Sequence, residues 1–339
     1  MSSELSLNRP SAFLPAAGWI AWPGRSQVRL TGADRAKFLH NFCTNDIKKL
    51  QPGQGCEAFL TSIKGRILGH IFVFAGSDDL VIDTVPGEDV KIRDHLDRFL
   101  ITEDVQIEVI TERSRCVYLF GRDWPALLQA GLGLDLAPLG PFGHVTAKSR
   151  PVTVRRFDVT AAQGFELVIP HEAVESVVSA FEFPDPERPR PVQVSATDFE
   201  AWRIDAGFPM YGVDLSDEHL AQEAARTQKA ISFTKGCYLG QEPIARIDAL
   251  GHVNRESRLV AFENSAGLKA PVKVVLASTQ ADVGTLSSVG RVDGSATVAI
   301  GMLRTTATLG SAIRAVGEAG EFMGEVVTPA LADGARAET

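Results

Sequence analysis

Apolar positions in the first 180 residues switch repeatedly between the spacing of a helix and that of a strand. Phe38, Leu39 and Phe42 recur at intervals of three to four residues, and so do the apolar residues of 89–100, which predicts two helices. Short apolar or alternating runs predict strands at 28–30, 67–74, 80–84, 105–110, 116–120, 152–158 and 165–169. Strands and helices mixed along the chain in this way predict an α+β fold.

Two local signals interrupt this pattern near the middle of the chain. The prolines of 184–191 fix φ and remove hydrogen-bond donors, so this stretch is expected to be an extended connector. Ser195, three residues before Asp198, then predicts a capped helix start. Phe199 and Trp202 are expected to face inward from that helix.

A different pattern begins at about residue 256, where short strands are separated by frequent glycines. The predicted strands are 259–262, 272–276, 284–289, 297–302, 313–316 and 325–327. This spacing is typical of a small antiparallel barrel or sandwich. We therefore expect a loosely packed lead-in at 1–26, an α+β region at 27–255, a C-terminal barrel at 256–328 and a flexible tail at 329–339.

Composition argues against several classes of protein. The 34 Lys and Arg residues face 42 Asp and Glu residues, a net charge of −8, so no overall basic field would collect nucleic acid. The four cysteines are scattered without a CxxC pair, which argues against a permanent metal site and is typical of reduced thiols. No apolar run of about 18 residues occurs, and the N-terminal residues do not resemble a signal peptide. We expect a soluble, cytoplasmic protein that contacts neither membranes nor nucleic acid directly.

The densest group of unusual residues is KGCYLGQE at 235–242. Its thiol, Cys237, follows Lys235 by two residues and precedes a stretch at 244–247 that can be helical, with Pro243 tolerated in the first turn. A nearby ammonium and a helix N-terminus both stabilise a thiolate, which makes Cys237 a candidate reactive cysteine. The residues alone equally allow a buried Cys237 beside glycines that serve a tight turn.

The motif at 235–242, followed by Ala245 and Arg246, resembles the signature of the YgfZ branch of the GcvT-like folate-binding family. Three further segments are similar to parts of this family and occur in the same order: LTGADRAKFLHNFCTNDIKKLQPGQG at 30–55, GFELVIP at 164–170 and RIDAGFPMYGVDL at 203–215. The resemblance covers residues 27–320. It implies three subdomains around a central cavity, two of them interleaved within 27–255, followed by a small β-barrel.

The resemblance also implies a ligand, tetrahydrofolate or a derivative, held in the central cavity. By position, Glu166 matches the family residue that fixes the pterin, and a carboxylate can accept hydrogen bonds from ring N–H groups. Arg203 matches the residue that fixes the glutamate portion, and a guanidinium can pair with a carboxylate tail. Alternatively, Glu166 is a strand-surface charge and Arg203 a structural ion-pair partner. Motif residues that the resemblance assigns to the cofactor are Lys235, Gly236, Tyr238, Gly240, Gln241 and Glu242.

Two departures separate the chain from the aminomethyltransferases of this family. Those enzymes share a GxxxDD segment. The corresponding residues 65–70 of this chain read GRILGH, so His70 stands in place of an aspartate. A histidine can titrate near neutrality but is not a permanent anion that would stabilise an iminium-like intermediate. In addition, Cys237 and Tyr238 occupy the place of an Asp-Phe pair.

These features favour a tetrahydrofolate-binding accessory protein that supports maturation or repair of iron–sulfur proteins, including tRNA-modifying enzymes, without turnover of its own. Its partners would be iron–sulfur enzymes or assembly factors, and Cys237 would be a catalytic thiolate or a transient iron ligand. The main alternative is a folate-dependent aminomethyltransferase that works with a lipoyl carrier. A folate domain of a sarcosine or dimethylglycine oxidase and a pure interaction module are weaker alternatives.

Overall fold

The fold consists of three β-structures connected by loops and short helices. This computed structural model describes residues 8–21, 25–181, 190–263, 265, 267–317 and 320–331. The strands in chain order are β1 (Gly18–Ala21), β2 (Ser26–Thr31), β3 (Gly55–Thr61), β4 (Ile67–Ala75), β5 (Asp79–Thr84), β6 (Gln106–Val109), β7 (Ser114–Phe120), β8 (His144–Thr146), β9 (Thr153–Arg156), β10 (Gly164–Pro170), β11 (Val192–Gln193), β12 (Arg255–Phe262), β13 (Val272–Leu276), β14 (Asp282–Gly290), β15 (Thr297–Arg304), β16 (Ala312–Gly317) and β17 (Gly320–Val327). The α-helices are α1 (Arg35–His40), α2 (Asp89–Asp97), α3 (Trp124–Leu132), α4 (Val174–Ser179), α5 (Ala196–Asp205), α6 (Thr227–Ala230) and α7 (Gln241–Leu250).

Two sheets form the body of the molecule. Strands in the order β3-β4-β5-β2-β6 make an antiparallel five-stranded sheet. The second sheet has the order β11-β1-β7-β10-β9-β8 and is antiparallel except where β1 runs parallel to β11. A buried aromatic cluster joins the two sheets: Phe72, Phe74, Tyr118, Phe120, Phe157, Phe199, Trp202 and Phe208. The two sheets are therefore held together by packed aromatic rings.

The C-terminal strands close into a six-stranded antiparallel barrel in the order β12-β15-β14-β13-β16-β17. This confirms the predicted α+β class and the predicted barrel. Side chains alternate between the two faces of each strand, so Val260 and Val274 fill the barrel interior. Leu259, on the opposite face of β12 from Val260, packs on Ile204 of α5. The barrel thus docks on the body through the outward side chains of β12 and β15.

Residues 8–21 are not loosely packed, which corrects the prediction for that part of the lead-in. Strand β1 lies inside the second sheet, between β11 and β7. The Arg9 guanidinium, which is buried, donates from Nε to Oδ1 of Asp205 at 2.6 Å. The N-terminal segment therefore ties the second sheet to the end of α5.

Some expectations fall on parts of the chain that the structure leaves out. The predicted connector at 184–191 lies outside the described residues except for its last two positions, and the predicted tail lies outside them from residue 332 onward. The domain boundaries proposed from the sequence stay predictions. Within the described ranges, no helix has both the length and the apolar character that a membrane span requires.

Candidate functional site

Lys235 anchors the KGCYLGQE loop to the segment that follows α1. Its buried ammonium donates to the backbone carbonyls of His40, Cys43 and Asn45 at 2.6, 2.7 and 2.8 Å. Nζ also lies 4.7 Å from the centroid of the Tyr238 ring. Because an ammonium has three N–H donors, the protein itself uses all of them. Lys235 thus serves to hold the loop in place in this structure, and its predicted contact with a cofactor stays a prediction.

Gly240 provides the turn into α7. Its φ is +85°, and a Cβ atom at this position would lie 2.4 Å from the carbonyl oxygen of Ser62, so a larger residue would be both strained and obstructed. The backbone N–H of Leu239 donates to the carbonyl oxygen of Asn41 at 2.9 Å, and the carbonyl oxygen of Leu239 accepts from Thr61 Oγ1 at 2.7 Å. Helix α7 begins at Gln241, three residues earlier than predicted. The loop between Lys235 and Gly240 is therefore fixed at both ends.

Cys237 is the exposed residue in the middle of this fixed loop. Its side chain is exposed, whereas Cys43 is buried and Cys56 and Cys116 are half-buried. Burial raises the pKa of those three thiols above its ordinary value. The alternative in which Cys237 is a buried small hydrophobic side chain is therefore wrong, and this thiol is the accessible one.

Arg203 is completely buried at the junction of α5, the following loop and the barrel. Its Nε donates to Glu200 at 2.8 Å, and Nη1 donates to Asp214 Oδ2 at 2.8 Å and to the carbonyl of Phe208. Its Nη2 donates to Glu200 and, at 3.2 Å, to Ser288 Oγ of β14. All five N–H groups of the guanidinium are used. Arg203 acts here as a structural ion-pair partner, and this arrangement leaves no N–H for a ligand carboxylate.

Glu166 lies in a buried cluster of two acids and two arginines that bridges the two sheets. Its Oε2 accepts from Arg155 Nη1 at 3.1 Å, and its Oε1 lies 3.2 Å from Arg25 Nε. Arg155 also donates to Asp83 Oδ2 of β5 at 2.7 Å. The side chain of Glu166 is fully buried, so it is not the strand-surface charge that the sequence also allowed.

His70, which replaces the aspartate of the aminomethyltransferases, belongs to a second buried network. Its Nε2 lies 2.8 Å from Glu57 Oε1, and its ring lies between Phe59 and Phe72 at centroid distances of 4.9 and 4.7 Å. Burial lowers the pKa of His70, which keeps the ring neutral at pH 7. A neutral ring beside a carboxylate donates its N–H, so Nε2 carries the proton.

Glu57 is held between His70 and Arg226. Arg226 donates from Nε to Glu57 Oε1 at 2.7 Å and from Nη2 to Oε2 at 2.5 Å, a bidentate pair. Burial opposes ionisation of Glu57, but Arg226 outweighs it and holds the pKa of that carboxyl well below its usual range. Neither Glu57 nor Arg226 was predicted as a site residue. The signal for Glu57 was a carboxylate within the apolar run of 55–61, where a charge is rare unless it is paired.

A cavity of about 690 Å³ lies where the two sheets meet α6 and the residues after the barrel. Charged residues of its wall are Glu57, Arg156, Asp158, Arg226 and Lys229. The other lining residues are Gly55, Cys56, Pro141, Phe142, Ala161, Ala162, Gln163 and Leu331. Glu57 and Arg226 are buried, whereas the Lys229 side chain is exposed, so the cavity wall combines a buried ion pair with a solvent-accessible cation.

The structure does not bring the predicted site residues together at this cavity. Among the described residues that line it, neither Glu166, Arg203 nor any residue of 235–242 occurs. Gln241 and Glu242 lie in the first turn of α7, where the Glu242 side chain is exposed. That Cys237 shares a cavity with Glu166, and that Arg203 and the motif contact a cofactor, thus stay predictions. Within the described ranges, no three His, Cys, Asp or Glu side chains are grouped to hold a metal ion.

The family model of the GCVT N-terminal domain matches residues 16–235. The chain belongs to this family. In three dimensions, this GCVT chain is similar to the glycine cleavage system aminomethyltransferase T from Bartonella henselae, with a TM-score of 0.81 and 17% sequence identity. That match covers 95% of this chain and 88% of the other, and it shows a shared fold.

Relatives in sequence carry the names of transferases. The GCVT chain is 27% identical over 225 residues to a candidate chloroplastic transferase of Arabidopsis thaliana, which covers 65% of this chain and 50% of that protein. It is 26% identical over 269 residues to an aminomethyltransferase of Thermoanaerobacter sp., which covers 77% of this chain and 70% of that protein. The matched region thus spans half the length of the first relative. Membership of the YgfZ branch stays a prediction.

Proposed function

We propose that this GCVT-family chain binds tetrahydrofolate in the cavity between its two sheets and serves iron–sulfur proteins as an accessory factor. The observation that carries the binding part is the cavity of about 690 Å³, whose wall combines a buried ion pair with a solvent-accessible cation. Small-molecule sites usually measure about 300–1,000 Å³ and combine apolar walls with few polar groups.

The lining residues match the three parts of a folate. The Phe142 ring offers a flat apolar wall for an aromatic group. Glu57 Oε2 accepts one hydrogen bond from the described residues, so this oxygen retains an acceptor position for a ring N–H of the ligand. Lys229 supplies a cation for a carboxylate tail. Bound folate would supply a carrier for one-carbon groups.

The charges around Glu57 favour binding over aminomethyl transfer. A transferase needs an anion next to the cationic one-carbon intermediate, and His70 is neutral. The adjacent carboxylate, Glu57, is neutralised by its bidentate pair with Arg226. An accessory role without turnover fits this arrangement.

The Cys237 loop supports a role with iron–sulfur partners. The loop is held at Lys235 and Gly240, and the thiol between them is exposed to a second protein. A fixed, accessible thiol that gives up its proton can briefly ligate an iron of a partner's labile cluster. The partners in this proposal are iron–sulfur enzymes, tRNA-modifying ones among them, or their assembly factors.

Aminomethyl transfer is the second candidate function, because the chain shares the fold and the sequence family of proteins named aminomethyltransferase. Incubation of the protein with tetrahydrofolate and an aminomethylated lipoyl carrier decides between the two candidates. The accessory role predicts no formation of methylenetetrahydrofolate. Its formation at rates above background would establish the transferase instead.

Folate binding is tested by titration calorimetry with reduced tetrahydrofolate. Lys229→Gln should weaken binding by about 1.5–3 kcal/mol, because a charge-assisted bond to the tail is lost. Lys64→Gln, which removes an exposed lysine outside the cavity wall, is the matched control and should bind like the wild type. Equal affinities for the wild type and the two variants would refute the contact between Lys229 and the ligand's tail. The absence of binding heat for all three proteins would refute folate binding itself.

The partner role is tested in cells that lack the protein. Cys237→Ser should fail to restore the activity of iron–sulfur enzymes, whereas Cys116→Ser should restore it. Restoration by both variants would make the exposed thiol dispensable and refute this part of the proposal.

A further inference from the structure

A second cavity, of about 590 Å³, lies between the start of α5 and the C-terminal barrel. Ala196 and Thr197 line it from the first turn of α5. Residues 289–291 line it from the end of β14, and Thr297 from the start of β15. Among the described residues, none lines both this cavity and the one between the two sheets. Its volume falls within the range of about 300–1,000 Å³ that small-molecule sites usually have.

Glycine at position 290 lets the barrel approach α5 closely. A Cβ atom at Gly290 would lie 2.7 Å from the Cα atom of Ala201, so a larger residue would push β14 away from the helix. The next residue, Arg291, is thereby placed in the cavity wall, and its side chain is exposed. No acid among the described residues forms an ion pair with Arg291. Its positive charge is therefore available to a ligand.

The first turn of α5 adds backbone donors to this wall. Helix α5 is 10 residues long, and the first N–H groups of a helix have no carbonyl partner within it. Ser195 Oγ accepts from the N–H of Asp198, whereas no described residue accepts from the N–H groups of Ala196 and Thr197. The Asp198 carboxylate accepts from Ser195 Oγ at 2.7 Å and does not line the cavity. Two oriented N–H groups thus remain for an anion.

Ser265, in the segment between β12 and β13, is the observation that points to a bound molecule. It lines the cavity and is only 4% exposed, yet its hydroxyl forms no hydrogen bond with any described residue. A buried hydroxyl without a partner is costly, because it has lost its water. An oxygen atom of a ligand would supply the missing partner. Thr297, which is also buried, adds a second hydroxyl to the same wall.

Charge and geometry in this cavity suit a phosphate group. Glu200 is the acid of the described wall, and both of its carboxylate oxygens already accept from Arg203. Arg291 therefore leaves the wall positive. The donors reach the cavity from α5, the segment after β12, the end of β14 and the start of β15. Donors from four directions match the three terminal oxygens of a phosphate monoester better than the two coplanar oxygens of a carboxylate.

We propose that this cavity binds a small phosphate monoester, whose phosphate group is held by the first turn of α5, Ser265 and Arg291. Backbone N–H groups at a helix N-terminus commonly hold phosphate in proteins. Leu268, which is buried, and Val289 give the organic part of the molecule an apolar wall. The site is separate from the proposed folate site, so neither depends on the other.

The test is titration calorimetry of the full-length protein with phenyl phosphate, inorganic phosphate and benzoate. Phenyl phosphate should bind saturably and more tightly than the other two, because it alone combines a phosphate group with an apolar ring. Arg291→Gln should weaken its binding roughly ten- to a hundredfold, since a charge-assisted hydrogen bond is lost. Arg304→Gln removes an exposed arginine of β15 outside the cavity wall and should bind phenyl phosphate like the wild type.

Ala196→Pro tests the backbone donor without removing a polar side chain. Proline is favoured at the first position of a helix, and Ser195 already has the extended conformation that suits a residue before proline, with φ −72° and ψ 153°. The variant should keep its circular dichroism spectrum and bind phenyl phosphate severalfold more weakly. Ser265→Ala should also weaken binding, but without loss of thermal stability, because its hydroxyl has no partner among the described residues.

Four results would overturn the inference, and none of them bears on folate binding itself. The first is the absence of saturable phenyl phosphate binding, and the second is unchanged affinity in both Arg291→Gln and Ala196→Pro. Equal affinities for benzoate and phenyl phosphate would show a general anion site, and equal affinities for inorganic and phenyl phosphate would show that no organic part is recognised. Displacement of phenyl phosphate by tetrahydrofolate would place the probe in the cavity between the sheets.

Discussion

Arg226→Met should destabilise the protein strongly, because it leaves Glu57 charged and buried. The guanidinium makes two hydrogen bonds to Glu57, at 2.7 and 2.5 Å, and the carboxylate has no exposed surface. Removing one partner of a buried ion pair costs about 3–5 kcal/mol, a large part of a typical stability of about 5–15 kcal/mol. The double variant Glu57→Gln/Arg226→Met removes both charges and should recover most of this loss.

The pH dependence of this loss has a definite sign. In the wild type the folded-state pKa of Glu57 lies below its unfolded value of 4.5, so the pair stabilises fully above that pH and less as the pH falls. Without Arg226, burial dominates and raises the pKa, so protonation relieves the unpaired charge. The difference in unfolding free energy between wild type and Arg226→Met should therefore narrow from pH 7 to pH 4.

Urea denaturation at a series of pH values measures both effects. Arg29→Met is the control, because Arg29 and Glu108 pair at 3.0 Å with side chains that are 37% and 42% exposed. An exposed pair of this kind contributes about 0–1 kcal/mol. A loss below about 1 kcal/mol in Arg226→Met, or a difference that widens toward pH 4, would refute the reasoning.

Three further predictions address the motif loop and α5. Iodoacetamide should modify Cys237 faster than the other three cysteines, as followed by mass spectrometry, because it alone is exposed; earlier labelling of another cysteine would contradict this. Gly240→Ala should lower the free energy of unfolding by about 1–3 kcal/mol more than Gly212→Ala. Both glycines have positive φ, but an added Cβ would meet backbone only at position 240. Equal losses of stability in thermal unfolding would count against this prediction. Arg203→Met should cost about 3–5 kcal/mol of stability and leave folate affinity unchanged, whereas a weaker affinity in a stable variant would return Arg203 to the binding site.

Sequence patterns predicted the elements whose cause is local. The barrel strands are short runs that contain several apolar residues, such as LVAF in β12 and VAI in β15, so each strand can be identified from a few neighbouring residues. The capped start of α5 is equally local, because Ser195 Oγ accepts from Asp198 N at 3.0 Å. Strand β1 lacked such a signal, since it is only four residues long and depends on its neighbours in the sheet.

The candidate site could not be predicted in the same way, because its charges are paired over long distances in the chain. Arg226 lies 169 residues from Glu57, and Lys235 lies 195 residues from His40, whose carbonyl it binds. A single sequence shows which residues are charged but not which charges meet. The resemblance to the folate-binding family identified Glu166 and Arg203 as polar residues of importance, yet their partners in the fold decide whether either has a donor or acceptor left for a ligand.

The balance of charge within the cavity wall supports an anionic rather than a cationic ligand. Arg226 pairs with Glu57, and Arg156 lies 3.4 Å from Asp158, so these four charges cancel in pairs. Among the described lining residues, Lys229 is the charged one without an ion-pair partner, which leaves the wall with one positive charge in a protein of net charge −8. A cationic one-carbon intermediate would gain nothing from such a wall, whereas a neutral ring with a carboxylate tail would. Because one uncompensated positive charge attracts the ligand, increasing salt should weaken tetrahydrofolate binding, and Lys229→Gln should abolish most of this salt dependence.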